Sequence, residues 1–329
     1  MNNSSETCSL PYNESTTPLV ATYSVIFAIG LPANLLTAWL TLLQVQKKNV
    51  LAVYLFSLSL CDLMYLSTLP LWIIYIQNNH QWMWGSVACK ITGFIFFNNL
   101  YISILLLCCI SLDRFVAVVY SVESTCWRHQ RTAICVTCGL CIAVAIIHSP
   151  VFVLSDGEQT QHQVTCFETL PMPRHIALFN YARFAVGFVL PLGVLIYTNC
   201  RISKIIRTST SLSKQQKSKV KYLTTAVIAI FLTCFAPYHA VLLARAILFF
   251  QNPMETCWFE EKVFTSNGAL LCLATANAIA DPFIYVLVSE NIRKDFFQAL
   301  QGWRIHSFTN VKSDSNPCSE LQNPVAAIT

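Results

Sequence analysis

Residues 87–119 read VACKITGFIFFNNLYISILLLCCISLDRFVAVV. No charged side chain interrupts the run from Ile91 to Leu112, which exceeds the roughly 20 apolar residues a helix needs to cross a bilayer. Six further stretches meet the same test, at about 18–45, 50–77, 131–154, 176–202, 219–249 and 262–288. Helices are the reading these runs permit, because lipid offers no partner to an open backbone and barrel strands are shorter. Composition agrees: 55% of the 329 residues are apolar and 11% are charged, too few charges to cover a soluble surface of this size. The expected fold is an all-α integral membrane bundle of seven transmembrane helices.

Orientation follows from the basic residues. Lys47 and Lys48 follow the first span, and Arg128 and Arg131 follow the third. Arg201, Lys204, Arg207, Lys214, Lys217, Lys219 and Lys221 lie between the fifth and sixth, and Arg293, Lys294, Arg304 and Lys312 follow the seventh. The alternate breaks are neutral or acidic, with Asp156, Glu158 and Glu168 in one and Glu255, Glu260 and Glu261 in another. The basic side is cytoplasmic, so the N-terminus is outside. The basic residues flank apolar spans with no zinc or RNA motif among them, which speaks against nucleic acid as a partner.

The chain divides accordingly. Residues 1–17 form an extracellular segment with glycosylation sequons at Asn2, Asn3 and Asn13, and no cleavable signal peptide precedes the first span. Residues 18–288 form the membrane domain. Residues 289–300 form an amphipathic helix with Ile292, Phe296, Phe297 and Leu300 on one face, and 301–329 a polar cytoplasmic tail expected to be disordered.

Most of the fifteen cysteines sit inside apolar runs, where they read as small packing residues. Four lie in extracellular segments, where an oxidising compartment favours bridges, Cys89 with Cys166 and Cys8 with Cys257.

Ionisable residues within spans are costly and mark function by default. Asp62 and Asp281 lie mid-span and can share a site with Asn99, Ser103 and Asn277. Such an oxygen set suits an allosteric sodium ion or shared protons, and a purely structural hydrogen-bond network is the alternative. Pro282, following Asp281, predicts a local distortion of its helix. No cofactor is expected beyond that ion, and no resident metal. A membrane enzyme would need a clustered nucleophile or metal set, and a transporter repeat symmetry or broken midplane helices; neither pattern is present.

The chain resembles the rhodopsin-like (class A) G-protein-coupled receptors over nearly its full length. The resemblance rests on Asn34, on Leu58 with Asp62, on Cys89 with Cys166, and on Asp113-Arg114-Phe115. Pro191, Cys234-Phe235-Ala236-Pro237 and Asp281-Pro282-Phe283-Ile284-Tyr285 complete it. It implies a plasma-membrane receptor, not an enzyme, with a heterotrimeric G protein and arrestin as cytoplasmic partners. Asp113 would restrain Arg114 in the silent state, Phe235 and Pro237 would be the switch and hinge of the sixth span, and Tyr285 would swing inward on activation. The chain departs from the common pattern at Phe115 (usually Tyr), Phe235 (usually Trp), Asp281 (usually Asn) and Asn199 (usually Tyr), and Leu140 stands where Trp is usual.

Within the class, Asp281-Pro282 and Phe235 resemble the branch of nucleotide, lipid and proton-sensing receptors. That branch implies an acidic lipid ligand: an oxidised free fatty acid, a lysophospholipid or a fatty-acyl amino acid. Residue chemistry agrees. Phe96, Phe97, Leu100, Tyr101 and Tyr238, with His239, would line an apolar slot, and Arg183 would anchor the carboxylate, with Arg245 as an alternative nearer the rim. Ordinary packing is the alternative for the aromatics, and a snorkelled or acid-paired role for Arg183. Proton sensing is the second reading. His80, His162 and His175 are expected outside and read more simply as solvated side chains, so a weak pH response is expected from Asp62 and Asp281 with His148 as modulator.

Overall fold

A computed structural model of the chain describes residues 11–12, 16–120, 128–154, 159–160, 163–167, 173–208, 213–251 and 256–288. The sequons, Cys8, His162 and the segments 289–300 and 301–329 lie outside the described residues. Among those described, seven helices are long and apolar enough to cross a membrane. They are α1 (Thr16–Gln46), α2 (Val50–Gln77), α3 (Gly85–Val119), α4 (Gln130–Val153), α5 (Arg174–Thr208), α6 (Lys214–Gln251) and α7 (Cys257–Tyr285).

Each matches an expected span. α5 and α6 run further at their cytoplasmic ends, because a test for apolar length cannot see the Lys-, Arg- and Gln-rich turns that continue a helix beyond lipid. The start of α6 is fixed by a capping box: the Gln216 amide donates to Ser213 Oγ, and the Ser213 amide donates to Gln216 Oε1. α2 starts at Asn49, whose side chain accepts from the Leu51 amide.

α3 is the central column, packed against α2, α4, α5 and α6, while α1 closes the ring against α2 and α7. Ile142, Ile146, Val153 and Val186 are among many large apolar side chains exposed on the outside of the bundle. Water would not tolerate so extensive an apolar surface, and lipid requires it.

Prolines shape three helices. A proline lacks an N–H and frees the carbonyl four residues earlier. α5 winds a π segment at Ala185–Val189 just before Pro191, and α6 one at Phe231–Phe235 just before Pro237. α7 breaks between Thr275 and Asn277, upstream of Pro282, the distortion the sequence predicts. The carbonyl that Pro282 frees is that of Ala278, and Asn34 Nδ2 of α1 donates to it at 2.7 Å.

The loop between α4 and α5 adds an element not anticipated, a short antiparallel pair, β1 (Gln159–Thr160) with β2 (Gln163–Val164). It leads to Cys166, which is bridged to Cys89 at the top of α3. Phe167 follows at φ 65° and lays its ring on Gly93, where a Cβ would fall 1.9 Å from that ring. Gly93 is therefore a close-approach glycine. Cys257 is also disulfide-bonded.

Candidate functional site

Below the outer loops lies a cavity of about 500 Å³. Its wall is largely apolar and aromatic, with Phe96 and Phe97 of α3, Phe179 of α5, Tyr238 and Leu242 of α6 and Phe264 of α7. Arg183 of α5 also lines it, its guanidinium 4.1 Å from the ring centre of Phe97 and 4.4 Å from that of Phe179. Its Nε is buried without a hydrogen-bond partner, and no carboxylate among the described residues pairs with it. Two aromatic faces hold the cation in place. Its N–H edge remains available to a planar anion.

A polar floor surrounds this cation. His148 stacks on Tyr101 at 5.1 Å, and Tyr101 meets His239 edge-on at 5.9 Å. Nδ1 of His148 lies 2.9 Å from the Val144 carbonyl, and Nδ1 of His239 lies 2.8 Å from that of Phe235. A carbonyl only accepts, so Nδ1 carries the hydrogen, and Nε2 is an acceptor whenever the ring is neutral. Both Nε2 atoms and Tyr101 Oη are buried without a partner. Arg245, also on the cavity wall, is engaged differently: its Nε donates to Glu260 Oε1 at 2.7 Å.

In the middle of the bundle, Asn99 Nδ2 donates to Asp62 Oδ1 at 2.9 Å and Asn277 Nδ2 to Asp281 Oδ2 at 3.4 Å. Asp62 Oδ2, Asp281 Oδ1, Asn277 Oδ1 and Ser103 Oγ are buried and unpartnered. All five residues are buried, and the two carboxyls are near enough for their charges to interact. Orphaned carboxyl oxygens on Asp62 and Asp281, each carboxyl held by an amide, are a donor set for a hard cation, or for two carboxyls sharing a proton.

At the cytoplasmic end, Asp113 forms an ion pair with Arg114. Arg128 also grips it, with Nε donating to Oδ1 at 2.8 Å and Nη2 to Oδ2 at 2.9 Å. Asn199 of α5 donates to the Thr224 carbonyl of α6 at 3.2 Å, joining those helices where they approach the cytoplasm.

Comparison with known proteins matches residues 33–285 to the family "7 transmembrane receptor (rhodopsin family)". The chain belongs to the rhodopsin family of seven-transmembrane receptors. It is 50% identical to Probable G-protein coupled receptor 132 of Mus musculus, over 98% of this chain and 84% of that one. It is 33% identical to G-protein coupled receptor 68 of Homo sapiens, over 89% and 79% respectively. Lysophosphatidic acid receptor 4 of Homo sapiens is 32% identical over 84% of this chain and 76% of its own length. A rhodopsin-family receptor is a multi-pass plasma-membrane protein that couples to heterotrimeric G proteins, and the family is one of receptors rather than enzymes.

Within this receptor, Phe96, Phe97, Tyr238, Arg183 and Arg245 line one cavity, and Tyr101 and His239 sit against its floor. Leu100, expected along the slot, does not line it: one turn below Phe96 and Phe97 the bundle has closed, and Leu100 is packed inside. Phe235 and Tyr285 are fully enclosed below the cavity. His80 is not the solvated histidine its loop position suggests. It is buried between Tyr12, Tyr75 and Phe264, at ring distances of 4.8, 4.9 and 5.6 Å. Sequence reading also missed Arg128 on Asp113 and Glu260 on Arg245; both were counted only as loop charges that set topology.

Proposed function

We propose that this receptor responds to an acidic lipid, an oxidised free fatty acid, a lysophospholipid or a fatty-acyl amino acid, whose anionic group meets Arg183. The observation that carries the reading is Arg183, paired with no carboxylate among the described residues and clamped between Phe97 and Phe179 on the wall of an aromatic cavity. The cavity volume of about 500 Å³ lies in the usual range for small-molecule sites. The sequence similarity to a receptor named for lysophosphatidic acid points the same way. Arg245 is a weaker anchor, since an incoming anion must compete with Glu260 for it. The test is a dose–response to a hydroxy-fatty acid at fixed pH. It should vanish in Arg183→Ala at unchanged surface expression, and a full response in that variant would reject the reading.

The central cluster supports a secondary role for ions. Asp62, Asn99, Ser103, Asn277 and Asp281 would hold a sodium ion, whose charge would offset two buried carboxylates, or would share a proton and lend the receptor weak pH modulation. A response to acid alone that survives Arg183→Ala and is lost in Asp281→Asn would make proton sensing the primary activity instead.

A further inference from the structure

A second cavity, of about 600 Å³, lies between the cytoplasmic parts of α2, α3 and α4. Cys109, Leu112, Val116, Ala133 and Val136 form an apolar wall, and Asp113 and Arg128 also line it. Leu112 and Val136 are 42% and 40% exposed on the outside of the bundle, the side that lipid covers. The cleft therefore opens sideways into the inner leaflet. No residue that lines it lines the cavity around Arg183.

Its chemistry is amphipathic in the sense of a phospholipid. Arg128 lines it, and Arg131 is exposed on the first turn of α4. Gln130 Nε2 donates to the Val45 carbonyl at 2.8 Å, which ties the start of α4 to the end of α1 and so to exposed Lys47 and Lys48. Among the described residues Asp113 is the one acid lining the cleft, and Arg114 already pairs with it. The inner leaflet carries anionic headgroups that basic residues at its surface attract. We propose that this cleft binds one anionic phospholipid of the inner leaflet, with an acyl chain against Leu112 and Val136 and the phosphate held by Arg128 and Arg131. A phosphate on Arg128 competes with Asp113 for the same guanidinium. With the grip of Arg128 on Asp113 counted as a contact of the silent state, occupancy that loosens it favours coupling to the G protein.

The test uses the full-length receptor. Native mass spectrometry from mixed micelles of phosphatidylcholine and phosphatidylserine measures which lipid stays bound, and nucleotide exchange on G protein is measured in nanodiscs with and without phosphatidylserine. One phosphatidylserine should be retained, and exchange should be faster when it is present. Val136→Trp fills the cleft from its lipid-exposed side and should abolish both effects, leaving exchange in pure phosphatidylcholine as in the parent. Arg131→Gln removes one cation near the surface and should weaken retention about fivefold. It keeps the test decisive should Val136→Trp express poorly. Equal retention in parent and Arg131→Gln, retention of phosphatidylcholine in place of phosphatidylserine, or displacement of the lipid by added soluble glycerophosphoserine would each overturn the proposal.

Discussion

Replacing Arg128 by Gln should make the receptor more active without ligand. The structure gives the size of the effect. Arg128 presents two N–H groups to the two oxygens of Asp113, at 2.8 and 2.9 Å, in the parallel geometry that makes such pairs strong. Hydrogen bonds to charged groups contribute about 1.5–3 kcal/mol, and fully exposed ion pairs about 0.2–1 kcal/mol. The Arg128 side chain is 27% exposed and that of Asp113 5%, so solvent screening discounts the pair toward the lower part of the first range, about 1.5 kcal/mol. If the silent state alone contains this grip, its loss shifts the equilibrium about tenfold. Where the active form of the unliganded receptor is a minority species, ligand-free activity rises nearly in proportion. The assay is nucleotide exchange on purified G protein at matched receptor concentration. Arg128→Lys, which keeps the charge and loses the fork, should fall between parent and Arg128→Gln. In a double-mutant cycle Arg128→Gln and Asp113→Asn should be non-additive by about 1 kcal/mol, because they remove one interaction. Unchanged ligand-free exchange in Arg128→Gln, or additive effects in the cycle, would refute the reasoning.

Three further outcomes follow from contacts elsewhere. Asn34→Ala strips the Ala278 carbonyl of its donor and should destabilise the receptor by about 1–3 kcal/mol, read as a lower melting temperature in detergent; an unchanged melting temperature would show that water replaces the amide. Gly93→Ala sets a methyl inside the Phe167 ring and should cost about 1–3 kcal/mol through overpacking, with Phe167→Ala restoring stability in the double variant. Arg183→Lys keeps a charge but loses the planar fork and the stacking on Phe97 and Phe179, so potency for an acidic lipid should drop about tenfold, well short of the loss in Arg183→Ala.

The spans were legible because lipid imposes one rule on every helix, and Ile91–Leu112 obeys it without interruption. The Asp62–Asp281 cluster was legible for a related reason. Charges are so rare within spans that each draws notice, and Asn99, Ser103 and Asn277 are polar groups at the same depth. The Cys89–Cys166 bridge needed only compartment and loop position. Contacts between loop charges were illegible. Asp113 and Arg128 stand fifteen positions apart across the turn from α3 to α4, and the topology rule already accounts for Arg128. Glu260 was absorbed in the same way by an acidic outer loop, though it is buried against Arg245. Leu100 shows a limit of periodicity. The α3 stripe of Phe96, Phe97, Leu100 and Tyr101 gives a direction around the helix, but the depth at which the cavity ends depends on how α5 and α6 close upon α3.

That closure is where the three prolines matter together. Pro191, Pro237 and Pro282 each interrupt a hydrogen-bond ladder, and the helices answer in two ways. α7 breaks at Ala276 and borrows Asn34 from α1, whereas α5 and α6 each wind a π segment. The two π segments touch: Phe188 of one stacks on Phe231 of the other, with centroids 5.3 Å apart and planes 13° from parallel. Phe188 also stacks on His239 at 5.0 Å, and Phe231 meets Phe235 at 5.8 Å. The extra residue that defines a π turn, if absorbed into regular α-helix, rotates everything beyond it by about 100° relative to what precedes it. A π segment is thus a discrete alternative to helix rather than a soft spring. Arg183 stands two residues before the α5 segment, and Tyr101, beside Arg183, lies where a Cβ on Gly187 would come within 2.4 Å of its ring. An anion that draws on Arg183 would therefore act on one end of a jointed segment whose far side is packed, ring on ring, against the joint of α6 above Asn199 and Thr224. The same contacts that shut the cavity floor over Phe235 are those through which occupancy of the cavity would reach the cytoplasmic half of the bundle.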